Sequence, residues 1–172
     1  MTKNIFTFLA IAAILGGLVF GWMRVSFFDA AHAEYLGEAL WLHLSSPYPR
    51  SLGNAFMGSL IIHGRILLFI VILTRLPMGF VGSYLLLMIR AMAVGFSAGM
   101  LVMTLGSRGT AFGAVMILIQ SIALLLVYGI LLLQGVHRGG ISLKALLVGI
   151  STVLAASAYE AFILPIFIPF FL

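Results

Sequence analysis

Six side chains sit where a chain this apolar has little reason to carry them: His63, Arg65, Arg90, Gln120, Tyr128 and Glu160. Each falls inside a long hydrophobic stretch. Ionisable groups in such stretches face a bundle interior or a polar cavity and pair with one another. Arg90 has twelve residues between it and Pro77, and an unpaired arginine at that depth costs about 3 kcal/mol on insertion scales. The acidic residue in a comparable setting is Glu160. With a helical rise of about 1.5 Å per residue, Arg90 stands about 18 Å beyond Pro77 and Glu160 about 24 Å beyond Lys144. That arithmetic predicts a buried Arg90–Glu160 pair joining the third and fifth helices. The plainer alternative has Glu160 facing water while Arg90 snorkels to the interface. For His63 the plainer alternative is a helix-packing histidine bonded to a neighbour. Gln120 and Tyr128, eight residues apart, fall roughly on one helix face.

These residues define few kinds of catalysis. Intramembrane proteolysis needs a serine–histidine dyad, paired aspartates or a His-Glu-x-x-His helix. The chain has no such helix, one acid in a span and no cysteine. Ser83, Ser97 or Ser121 with His63 stays geometrically open, but serines in membrane helices mostly serve packing. His32, Glu34 and His43 match no metal-site spacing. The expectation is a protein with no catalytic residue, no cofactor and no metal. Solute transport is the rival, with Arg65, Arg90, Glu160, Gln120 and His63 lining a pathway. No internal repeat is visible, although a homo-oligomer could supply a second half.

The elements that must position these groups are membrane helices. Of 172 residues, 63% are hydrophobic and 8% charged, against about 45–50% and 25% in soluble domains. The nine Lys and Arg are dispersed singly, which argues against a nucleic-acid partner; lipid is the expected surrounding. The fold class is all-α: a polytopic transmembrane bundle with spans over 5–23, 51–74, 78–104, 111–133 and 145–164. The first run is read as a retained helix and not a cleaved signal peptide, despite Ala31-His32-Ala33 downstream. The second span, interrupted by His63-Gly64-Arg65, either crosses or lies partly along the interface. Small residues recur every four positions at Ala13, Gly17 and Gly21, and again at Ala91, Gly95 and Gly99. Such seams let helix backbones approach closely in lipid.

Residues 25–50 form the one polar, irregular stretch, read either as a short amphipathic helix at the membrane surface or as a solvated loop anchored at the interface by Trp41. It holds three of the four acids, Asp29, Glu34 and Glu38, beside Phe27, Phe28, Trp41 and Tyr48. Glu34, Glu38 and Trp41 are the candidate partner-docking residues. With the N-terminus inside, inner loops carry Lys3, Arg75, Arg138 and Lys144, and outer loops carry Arg24, Arg50 and Arg108. That bias weakly favours a cytoplasmic N-terminus and an extracytoplasmic C-terminus.

The order of these features resembles the stage II sporulation protein M family. The resemblance runs from Leu15-Gly16-Gly17-Leu18-Val19-Phe20-Gly21 to the C-terminus. Its most specific pieces are Arg90 with Val94-Gly95-Phe96, then Gly106-Ser107-Arg108-Gly109 leading to Gln120 and Tyr128. The last is Tyr159-Glu160-Ala161-Phe162 with Pro165 behind it. The resemblance implies five spans with the N-terminus inside the cell membrane, and a non-enzymatic component. It implies an anchor for peptidoglycan hydrolases of the stage II sporulation D and P type during engulfment, with no catalytic residue to carry over.

Overall fold

The computed structural model describes residues 2–27, 35, 38, 51–76, 79–113 and 119–166. Every element among them is helical: α1 (Thr2–Val25), α2 (Leu52–Leu73), α3 (Gly79–Gly113), α4 (Ile119–Arg138) and α5 (Leu143–Ala158), which runs on into a π turn over Tyr159–Ile163. Five helices are long and apolar enough to cross a membrane, over Asn4–Val25, Leu52–Leu73, Gly79–Thr104, Ile119–Arg138 and Leu143–Ile166. The chain is an all-helical, multi-pass membrane protein.

Local chemistry explains three of the helix ends. Ser51 caps α2 by accepting from the Asn54 amide, and Ser142 caps α5 by accepting from the Ala145 amide, each satisfying an orphan donor of a first turn. Gly139, at φ 65°, takes the left-handed position that ends α4. His137 and Arg138 precede it in the last turn, where cations oppose the helix dipole.

The second span keeps its expected extent, and the end of the fourth differs from the sequence expectation. The second span is one unbroken helix of 22 residues, because neither His63 nor Gly64 removes a backbone hydrogen bond. The fourth span ends at Arg138 and not 133, and the residues just before Ile119 lie outside the described ones. Gln134 to Arg138 continue the helix, and the Ser142 hydroxyl donates to the side-chain Oε1 of Gln134 at 3.0 Å, tying the loop back onto α4. Upstream, α3 persists to Gly113 across a break at Gly106 (φ 58°, ψ −131°). Only glycine adopts that conformation without strain, so Gly106→Ala should destabilise the bundle by roughly 1–3 kcal/mol. Denaturant unfolding in detergent measures this, and an unchanged midpoint would refute it.

Packing divides the bundle into two contacts. α1 lies along α3, with Gly17, Gly21, Gly95 and Gly99 at the seam. A Cβ built on Gly21 would fall 2.0 Å from the Met92 carbonyl oxygen, and one on Gly95 would fall 2.1 Å from that of Leu18. Ala91, fully buried, meets Gly17 in the same seam. Contacts advance together along both chains, so α1 and α3 are parallel, and the Tyr84 hydroxyl donates to the Phe6 carbonyl at 2.9 Å. On its other side α3 joins α2, α4 and α5 around Ile70, Leu87, Leu124, Tyr128, Leu132 and Val153. The exposed surface is studded with large apolar side chains on all five helices, among them Phe8, Val19, Phe69, Leu126 and Leu154. In lipid that surface is solvated by acyl chains and carries no penalty.

Candidate functional site

The intramembrane polar residues converge from four helices. Ser59 and His63 stand four apart on α2 and therefore share a face. Glu160 is the second residue of the π turn. That turn lies directly before Pro165, whose ring lacks the N–H that would bond the Ala161 carbonyl. The backbone widens instead, and the Leu164 amide bonds back to the Tyr159 carbonyl. Such turns recur at functional sites. Here it holds Glu160 against α2 and α4.

The Glu160 carboxylate accepts from Ser59 Oγ, from Gln120 Nε2 and from His63 Nε2, the last at 3.1 Å. His63 Nδ1 lies 3.4 Å from Arg90 Nη2. A guanidinium carries donors only, so Nδ1 accepts and Nε2 bears the proton it gives to Glu160. The imidazole is thus neutral and fixed in one tautomer, a bridge between a cation and an anion. The Tyr128 hydroxyl donates to the His63 backbone carbonyl at 3.0 Å, which ties α4 to α2 at the same level. His63 is 2% exposed and Tyr128 0%. No serine oxygen bonds either ring nitrogen of His63 among the described residues.

The direct Arg90–Glu160 pair expected from the sequence is corrected here. No ion pair joins the two among the described residues, where Glu160 pairs with His63. Depth along each helix axis placed them at reachable heights, but His63 projects from α2 into the line between them. Arg65, in contrast, is exposed on α2 and joins no cluster. Ser59 escaped notice as a polar ligand; its signal was the four-residue spacing to His63.

Beside this chain of bonds is a cavity of about 390 Å³. Asn54, Arg90, Ser97, Gln120, Ser121 and Glu160 supply its polar wall, with Gly58, Ala93 and Val94 among the apolar one. Gln120 Oε1 is buried and lacks a hydrogen-bond partner. No group of three metal-ligating side chains occurs among the described residues. His32, Glu34, Trp41 and His43 lie outside them, while Glu38 is described and exposed. No family model matches the chain, and neither the curated proteins nor the solved structures contain a match.

Proposed function

We propose that this chain is a non-enzymatic membrane anchor of the stage II sporulation protein M type, recruiting peptidoglycan hydrolases at the cell envelope. The observation that supports it best is the way the intramembrane polar groups are used. Both ring nitrogens of His63 and both oxygens of Glu160 are bonded to neighbours on other helices. A brace needs this arrangement, and it leaves the His63 imidazole no lone pair with which to serve a nucleophile as general base. In this reading residues 25–50 face the outside and present Glu34, Glu38 and Trp41 to the partner. The N-terminus is cytoplasmic, because five spans leave Arg75, Arg138 and Lys144 on the opposite face.

Replacing Glu34, Glu38 and Trp41 together with alanine should leave insertion intact and release the hydrolases. Co-purification from native membranes, followed by mass spectrometry, measures both. Hydrolases retained by the triple variant would move the docking surface elsewhere. Solute accumulation in reconstituted vesicles, abolished by Arg90→Leu, would replace the anchor with a transporter. A reporter fused after Leu172 that works only in the cytoplasm should be silent, and activity there would overturn the topology.

A further inference from the structure

We propose that the cavity beside the Arg90–His63–Glu160 chain is a binding site for a small zwitterion, its carboxylate on Arg90 and its ammonium group on Glu160 and Gln120. Anchoring does not require such a site, so the inference goes beyond the scaffold and is tested separately from it.

Hydrogen-bond capacity is the first ground. A guanidinium has five N–H donors, and His63 Nδ1 takes one from Arg90. No other partner for Arg90 occurs among the described residues, although it lines the cavity. The Glu160 carboxylate, which also lines the cavity, has about four acceptor sites, receives three donors and keeps one site free. Gln120 is 8% exposed and its Oε1 has no donor. The amide cannot be turned round to cure this, since Oε1 would then face the carboxylate. Buried polar atoms are rarely left unbonded without a missing partner.

Charge is the second ground. The cavity lining offers surplus donors on a permanent cation, Arg90, and surplus acceptors on Glu160 and Gln120. Arg90 and Glu160 already balance one another across a neutral imidazole. A bare anion or a bare cation would therefore add an uncompensated charge among membrane helices, which is unfavourable. A zwitterion adds none and meets both the donors and the acceptors. The volume of about 390 Å³ lies within the usual range of small-molecule sites, about 300–1,000 Å³. Ala93 and Val94 leave room for a short aliphatic side chain, so the ligand class is a small amino acid.

The test uses the full chain in lipid nanodiscs, with thermal unfolding and calorimetric titration. The probes are alanine, valine, glycine betaine, acetate and ethylamine. Alanine or valine should raise the unfolding midpoint by about 3 °C or more at saturation. Betaine, whose quaternary nitrogen has no N–H, should bind at least about tenfold more weakly, and acetate and ethylamine should leave the midpoint unchanged. Gly58 lines the cavity, and a Cβ there meets no heavy atom within 4 Å. Gly58→Leu should thus start from open space and occupy the cavity, keeping the unliganded midpoint and losing the ligand shift. No shift with either amino acid would leave the cavity to water and overturn the proposal. An equal shift with acetate, or undiminished binding by Gly58→Leu, would overturn it as well.

Discussion

Glu160→Leu should lower the unfolding free energy of the purified bundle by about 3 kcal/mol, near the bottom of the range for breaking a buried charge pair. The side chain is 32% exposed, so solvent screens part of the loss. What remains is large because one substitution strands several groups. Ser59, Gln120 and His63 each lose their acceptor, and Arg90 loses the anion it reaches through His63. Glu160→Gln keeps the shape and two acceptor sites, and should recover about half of the effect. Denaturant unfolding in bicelles measures both. A neutral Glu160→Leu would show that the network carries no stability. The bridging geometry adds a sharper expectation. Arg90→Leu and Glu160→Leu should be non-additive by more than about 1 kcal/mol in the native background, and that coupling should fall sharply once His63 is leucine. Coupling that survives without His63 would mean the two charges interact directly.

The second large effect belongs to the α1–α3 seam. Gly95→Ala introduces a Cβ 2.1 Å from the Leu18 carbonyl oxygen, with the Leu18 carbonyl carbon and Cα at 2.9 and 3.0 Å. These are backbone atoms and cannot rotate away, so the helices must separate by about 1 Å. Overpacking of this kind costs about 1–3 kcal/mol, and a clash between two backbones belongs at the upper end. Gly16 provides the control, since a Cβ there meets nothing within 4 Å. Gly16→Ala should be neutral or stabilise by up to about 1 kcal/mol through helix propensity. Equal effects of the two substitutions would mean that α1 and α3 do not pack through this face.

The small-residue periods at Gly17, Gly21, Gly95 and Gly99 were visible because backbone proximity needs small side chains at a helical spacing. That the two seams meet each other was not, since a period reveals a face but no partner. The same limit explains His63. Rise per residue gave the heights of Arg90 and Glu160, but not which third side chain projects between them. The π turn left one sequence trace, Pro165, whose missing donor disturbs the turn before it. The extension of the fourth span to Arg138 had no apolar signature, since Gln134, His137 and Arg138 are polar. Glu34 and Trp41, proposed to dock a partner, fall outside the described residues, so that proposal rests on composition and resemblance.

The parallel contact between α1 and α3 has a consequence in time. α1 packs chiefly on a helix that follows it by a full span, and makes no extended contact with α2. From Val25 to Gly99 the ribosome must add 74 residues, which at about 5–20 residues per second takes about 4–15 s. Throughout that interval α1 stands in the bilayer with its glycine groove filled only by lipid. A substitution such as Gly95→Ala lengthens the wait, because the partner arrives and cannot dock. The amount of protein that survives membrane quality control should then fall further than the equilibrium loss alone would give.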